Sequence, residues 1–458
     1  MADRLSALDA SFLYLEESNT PMHIGGLAIF DSPASGVDID ALIEHVDARL
    51  RLVPRYRQRI RDVPGNLALP VWADDEHFDL AHHVRRSALP RPGSTDQLHE
   101  LVARVLSRPL DRRRPLWELY VVEGLTDGRF AIVTKTHQAL VDGISAIELG
   151  EVLYDDEAGP GERPDSDWQP RRGPGDIGLL TEAAGELVQR PNALVDVARR
   201  SALDVGRTLG RLGSTALGAL HVAQTVARSA PHSPLNVEIG VARRFETVST
   251  DLKSFREIRQ ALGGDVNDVV IAVITGGLRT WLQARGEPMT TRSSIRALVP
   301  VSVNHPDSPE QVSSFVIDLP TGEGSAVMRL HQVSYAMRAN LENQRAVSAE
   351  RLVGLAGFAP PTLHALAARV ASGLSSRVFN LVVTNVPGPQ QPRYLAGSRL
   401  LEAYPVSPLA QGQALSIGAT SYNGRVYFGL YGDRDAMTDL DVLGSCIVDA
   451  LEELRQAL

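Results

Sequence analysis

Apolar positions in the first third of the chain alternate between two periods. Gly25–Asp31 ("GGLAIFD") is a short apolar run closed by a Ser-Pro turn, and it predicts a strand. In Asp38–Val53 ("DIDALIEHVDARLRLV") apolar residues return every three and four positions, the spacing of one helix face. Ser94–Leu110 ("STDQLHELVARVLSRPL") repeats that spacing behind a Ser/Thr cap. "LWELYVVEGL" and "RFAIVTKTH" then read as two strands joined by a Thr-Asp-Gly turn. The second strand runs directly into "THQALVDG" (Thr136 to Gly143), and "SAIELGEVLYDD" follows as a helix.

The pattern breaks at Ala158–Asp176, where Gly, Pro and charged residues crowd together as in an exposed linker. Residues 177–230 are helical in spacing and broken at Pro191. Between Arg190 and Arg228 six arginines face two aspartates, which fits crossover helices lying on the protein or a basic helix lying on a membrane surface. From Pro234 onward strands and helices interleave again. "NDVVIAVITGGLRTWL" and "VSAERLVGLA" predict helices, and "SSIRALVPVSVN", "SSFVIDLPTG" and "FNLVVTNVPGP" predict strands. A hairpin in "QALSIGATSYNGRVYFGLYGD" and a last helix, "MTDLDVLGSCIVDALEELRQ", complete the set. The whole reads as mixed α/β, with an N-terminal domain at 1–157, a linker with crossover helices at 158–233 and a C-terminal domain at 234–458.

Composition narrows the function. A net charge of -9 argues against nucleic-acid binding, which calls for a basic excess. Cys446 is the only cysteine, so no internal disulfide or CxxC site can form, and a small buried residue is the expected role. The first residues lack a basic start followed by an apolar stretch, which favours the cytoplasm. The longest nearly apolar stretch, Leu352–Ala368, is interrupted by Pro360-Pro361 and falls short of the roughly 20 residues a bilayer crossing needs.

No GxxxxGK[ST], HExxH, GxSxG or strand-following GxGxxG is present, and His82-His83 has no carboxylate at ligand spacing, so no metal or nucleotide site is expected. "THQALVDG" is left. A histidine at a strand end with Asp-Gly beyond it suits a buried site, since glycine permits a tight backbone and the carboxylate can orient a ring. Alone, this spacing is weak.

It is joined by "LSALDASFLYLE" (Leu5–Glu16), "PMHIGGLAIFD" (Pro21–Asp31), "RPLDRRRPLWE" (Arg108–Glu118), "PLN" with "RRF" (Pro234–Phe245), "NDVVIA" (Asn267–Ala272), "ALVPVSV" (Ala297–Val303), "TNVPGP" (Thr384–Pro389) and "SYNG" (Ser421–Gly424). In this order the segments resemble the bacterial wax ester synthase/diacylglycerol acyltransferase family of the CoA-dependent acyltransferase superfamily. The resemblance implies two chloramphenicol-acetyltransferase-like domains with a channel between them. It implies a long-chain acyl-CoA co-substrate with no bound cofactor, and diacylglycerol or a long-chain alcohol as acceptor. It also implies a cytoplasmic enzyme lying peripherally on a membrane or lipid droplet.

In that family's HHxxxDG motif the second histidine takes the acceptor's hydroxyl proton. His137 matches the first histidine, Gln138 the second, and Asp142 and Gly143 the last two positions. Gln138 can hold a hydroxyl but takes no proton. His137 is one residue away and points to the other face if the strand continues, so it substitutes only if the loop turns it back. Three readings stay open: an acyltransferase with reduced or rerouted base chemistry, a non-catalytic paralogue that binds acyl-CoA or neutral lipid, and a substituted form of an active enzyme. Transfer onto a polyketide or glycolipid hydroxyl is a further alternative.

Asp142 is expected to orient the loop, through a salt bridge to Arg296 unless Arg296 is a strand-end surface residue. Asn267 and Asp268 open a helix as an N-cap pair, and the resemblance adds that they face the channel. Asn385 is expected at the channel wall, and Pro115 and Trp117 in the core. The short "NHPDSPEQVSS" (Asn304–Ser314) stands where the family has a longer loop ending in Gly-Asn.

Overall fold

The computed structural model describes residues 3–32, 36–141, 149–159, 168–171, 173, 175–189, 229–305, 308–342 and 377–458. The predicted basic helices between Arg190 and Arg228, the helix "VSAERLVGLA" and the apolar stretch Leu352–Ala368 lie outside them. Two six-stranded sheets dominate the rest. The first runs Tyr394–Leu395, Ser398–Val406, His23–Phe30, Phe130–His137, Trp117–Glu123 and Val84–Ala88 from edge to edge. The second runs Ser308–Leu319, Ile295–His305, Leu381–Pro387, Leu415–Tyr422, Arg425–Asp433 and Arg243–Asp251. A small sheet of Asp3–Arg4, Val71–Asp74 and Gln58–Arg61 sits apart.

The helical spacing finds its helices. Asp38–Val53 gives Ile39–Leu50, which buries Leu42, Val46 and Leu50 along one stripe. Ser94–Leu110 gives Thr95–Leu106, opened by a reciprocal cap between Ser94 and Gln97 and ended ahead of Pro109. The helix Val266–Ala284 is different, since residues Asp268 through Leu278 are all buried and it runs through the core. Cys446 is buried in the last helix, Leu440–Arg455, as expected.

Apart from Pro306 and Asp307, which lie outside the described residues, the stretch Asn304–Ser314 is strand. Ile295–His305 and Ser308–Leu319 form one long antiparallel hairpin, with a register shift between Ser308 and Gln311 that accommodates Pro309.

The strand Ser398–Val406, from the C-terminal part of the sequence, pairs with His23–Phe30 and so belongs to the first sheet. It reaches there by crossing closely over the second. Gly418 and Gly429 are cross-strand partners in that sheet, and a Cβ on either would lie 2.9 Å or 2.1 Å from the Pro405 carbonyl oxygen. Only glycine at both positions lets the backbones meet.

No single helix among the described residues is long and apolar enough to cross a membrane. Leu252–Leu262 and Val266–Ala284 pass only as a pair, bent by 103°.

Candidate active site

The strand Phe130–His137 places Lys135 and His137 on one face, both buried. His23 is the cross-strand partner of His137. The two rings therefore share that face and meet edge to face, 6.0 Å between centroids. Helix Ala7–Leu15 ends at Glu16, whose Oε1 lies 3.4 Å from His23 Nε2 and 3.8 Å from His137 Nε2. Arg112 holds the other oxygen: its Nε and Nη2 donate to Oε2 at 3.0 and 2.6 Å, and Nη2 also donates to the Leu13 carbonyl at 2.7 Å.

Burial pushes the His137 imidazole down to about 3, with Glu16 opposing the fall and His23 and Arg112 adding to it. Burial also lowers His23, opposed by the neighbouring Glu16 carboxylate and helped by the Lys135 charge. The Glu16 carboxyl would be raised by burial, but the neighbouring His23 ring, the His137 charge and Arg112 outweigh that and hold it at about 2. Above pH 6.5 both rings are neutral, so Arg112 is the cation that keeps Glu16 ionised there. Glu16 Oε1, His23 Nε2 and His137 Nε2 are buried and lack a hydrogen-bond partner among the described residues. Such orphaned atoms are uncommon in folded proteins, and here they converge.

His137 is committed elsewhere. Its Nδ1 accepts from the Ala139 backbone N–H at 3.0 Å, which makes the ring a cap on the short helix Gln138–Val141. A nitrogen that accepts carries no proton, so the neutral ring's hydrogen sits on Nε2 and faces Glu16. The ring thus turns inward, with its basic lone pair occupied. Gln138 begins the helix, its N–H donating to the Met22 carbonyl at 2.9 Å and its side chain half-buried. Asp142 and Gly143 lie outside the described residues.

Of the other expected residues, Asn267 and Asn385 come together: Asn385 Nδ2 donates to Asn267 Oδ1 at 2.9 Å. Asp268 does not join them. The cap of its helix is Asp265 rather than an Asn267–Asp268 pair, and Asp268 completes a reciprocal capping box from the first turn. Its Oδ2 accepts from the Asp265 N–H at 3.1 Å and from the Ser334 hydroxyl at 2.6 Å. Arg296 pairs with its cross-strand neighbour Asp318, Nε to Oδ1 at 2.7 Å. The partner expected for it, Asp142, is outside the described residues, and strand register supplies a nearer carboxylate.

Trp117 is a core anchor, fully buried with its indole N–H donating to the Tyr56 carbonyl at 2.7 Å. Pro115 beside it is buried as well. His83 is buried, its ring stacked on Phe78 and Trp117, and burial lowers it to about 4. Among the described residues no group of three or more His, Cys, Asp or Glu is arranged to hold a metal.

Residues 5–270 match the family model of the wax ester synthase/diacylglycerol acyltransferase catalytic domain, and residues 310–455 match that of the WS/DGAT C-terminal domain. The chain belongs to the wax ester synthase/diacylglycerol acyltransferase family. Over 260 residues it is 46% identical to the probable diacylglycerol O-acyltransferase tgs3 of Mycobacterium tuberculosis, covering 57% of this chain and 96% of that one. It superposes on the wax ester synthase/diacylglycerol acyltransferase of Marinobacter aquaeolei VT8 with a TM-score of 0.68, 30% identity and 99% of each chain covered. The first condensation domain of the calcium-dependent antibiotic synthetase shares the fold at a TM-score of 0.62 and 18% identity, over 99% of this chain and 96% of that one. The mixed α/β architecture of the acyltransferase family is thus the one expected from the sequence.

The family resemblance drew attention to the motif but not to its neighbours. Glu16, His23 and Arg112 all fall in segments that carry the likeness, yet no spacing joins residues 16, 23, 112 and 137. The register of His23 against His137 and the end of the first helix bring them together.

Proposed function

We propose that the chain transfers a long-chain acyl group from acyl-CoA to the hydroxyl of diacylglycerol, and to long-chain alcohols as a second acceptor. The match of the catalytic-domain model across residues 5–270, which include the His137 motif, carries this reading. Acyl-CoA serves as a co-substrate and no cofactor takes part. The acceptor oxygen attacks the thioester carbonyl, the C–O bond forms as the C–S bond breaks, and the hydroxyl proton ends on the departing CoA thiolate.

Gln138 holds the acceptor hydroxyl through its amide but takes no proton. His137 is not the replacement, because its lone pair is bound to Ala139 N–H and its basicity is depressed. Its role is to fix the start of the Gln138–Val141 helix, and Glu16 with Arg112 fixes the ring. The Asn267–Asn385 pair lies at the wall of a channel between the two halves. Work on lipid acceptors places the protein at a lipid surface from the cytoplasmic side. Met328 and Tyr335, exposed seven residues apart on helix Ala326–Glu342, suit peripheral contact with such a surface.

The occupied lone pair of His137 also favours a second reading, a protein that binds acyl-CoA or neutral lipid without turnover. Free CoA release with palmitoyl-CoA and diacylglycerol or hexadecanol separates the two. Gln138→His is expected to raise kcat by roughly 10²-fold or more, since a positioned general base contributes about 10²–10⁴-fold. If Gln138→His releases no CoA while palmitoyl-CoA still binds, the transfer reading fails. If the unaltered chain is already fast and His137→Ala abolishes the rate, the assignment of His137 as a positioning residue fails instead.

A further inference from the structure

A cavity of about 360 Å³ opens where the C-terminal end of helix Thr95–Leu106 meets strand Arg243–Asp251. Its lining includes Arg104, Arg243, Arg434, Ser107 and Glu100. Arg243 is buried and committed: it donates to the carbonyls of Gly240, Ala242 and Asn19 and lies 3.7 Å from the Asp433 carboxylate. Arg104 and Arg434 are exposed at the rim, and neither side chain has a hydrogen-bond or ion-pair partner among the described residues. Glu100 is the one acidic side chain on the lining. It makes no ion pair with Arg104, one helical turn away, although that spacing favours one.

The place of this cavity ties it to the site above. Arg243 donates to Asn19, three residues beyond Glu16. Leu106, next to Ser107 on the cavity wall, reaches Gly25: a Cβ there would lie 2.8 Å from Leu106 Cδ2. Gly25 is two residues from His23 on the same strand face. The cavity therefore flanks the Glu16–His23–His137 cluster, separated from it by the end of one helix and one loop.

A molecule with a net charge of -9 repels a polyanion at long range, so a polyanionic substrate needs a local reversal of that field. Two uncommitted guanidinium groups set against one carboxylate supply it, and guanidinium matches phosphate oxygens with two parallel N–H donors. We propose that this cavity binds the phosphate-ester end of the acyl donor, with Arg104 and Arg434 as phosphate ligands and the pantetheine arm leading from there toward the His137 motif. The inference rests on acyl-CoA being the donor. A phospholipid headgroup offers the same phosphate-ester chemistry, and the test separates the two sources.

Binding of CoA and of pantetheine, which lacks the nucleotide phosphates, is measured by calorimetry on the full chain, alongside flotation with phosphatidylglycerol and phosphatidylcholine vesicles. The double variant Arg104→Ala/Arg434→Ala is expected to weaken CoA binding by roughly tenfold or more, as loss of charged hydrogen bonds does, and to flatten its salt dependence. Pantetheine binding should change far less. Glu100→Gln should tighten CoA by a few-fold, which a variant that merely misfolds would not do. Unchanged CoA affinity in the double variant, equal weakening of CoA and pantetheine, or no CoA binding by the unaltered chain would overturn the proposal. Loss of phosphatidylglycerol flotation with CoA affinity intact would overturn it too, in favour of a lipid headgroup. If CoA binds through these arginines but no acyl group is transferred to any acceptor, the cavity stands and the transfer reading falls.

Discussion

The largely buried carboxylates of Glu16 and Asp268 are treated by the fold in opposite ways. Glu16 is held at about 2, far below the ordinary carboxylate range, because the His23 and His137 rings face one oxygen and Arg112 grips the other. Asp268 is pushed upward by burial, which outweighs donation from the Ser334 hydroxyl and the Asp265 N–H and the Arg338 charge, with the Asp265 carboxylate adding to the rise. Two neutral donors do not offset burial at Asp268, whereas two imidazoles and a guanidinium together do so at Glu16. The difference also separates tasks. Asp268 has its acceptor filled and serves the end of a helix, whereas Glu16 keeps one oxygen unfilled between two imidazoles.

The strongest way to break that comparison is Glu16→Gln. It leaves the half-exposed Arg112 without its counter-charge, and a urea midpoint shift equivalent to about 2 kcal/mol is expected. A loss under about 1 kcal/mol would place Glu16 in the same class as Asp268.

The rings beside Glu16 provide a test by pH. A histidine whose folded value is lowered to about 3, from 6.5, stays neutral in the fold while the unfolded chain protonates. Stability is then complete above pH 6.5 and falls as pH drops toward 3. His83, lowered to about 4, acts in the same direction. Unfolding at pH 5 should take up about two protons from these two rings, a slope of roughly 2.5 kcal/mol per pH unit. His137→Asn should remove about one of them. Glu16 adds its own loss only lower, from about 4.5 down to about 2, since its folded value is depressed. A profile flat between pH 6.5 and 4.5 would contradict the neutral rings.

Asp268→Asn should cost less than about 1 kcal/mol, because an amide oxygen still accepts from Ser334 and a costly buried charge is gone. The sign at pH is reversed from Glu16. With its folded value raised, Asp268 penalises the native state more as pH climbs past its titration, so the variant gains relative stability toward neutral pH. Arg296→Ala is the smallest change, within about 0.5 kcal/mol by the same denaturation, since Asp318 is more than half exposed and surface pairs contribute little.

The sequence made much of this legible, for physical reasons. Helical spacing and caps located Ile39–Leu50 and Thr95–Leu106, because a one-sided helix writes its period into the chain. The strand leading into His137 was visible from its apolar run. The His83 stack and the hairpin at Asn304–Ser314 were not, since both depend on partners distant in sequence or on pairing that overrides local turn chemistry. The same holds at the site. Gln138 was conspicuous against a family motif, whereas the commitment of the His137 lone pair to Ala139 and the approach of Glu16 depend on how the strand ends and on which strand lies beside it.

The strand Ser398–Val406 sets an order of events during synthesis. The sheet holding His23 and His137 stays open along its His23–Phe30 edge until residues near the end of the chain have left the ribosome. An emerging chain must therefore shield an unpaired strand beside His137 for most of its translation. A chain severed after residue 157 should leave a first fragment that is soluble only when the second is made alongside it, because the second carries the strand that closes its edge.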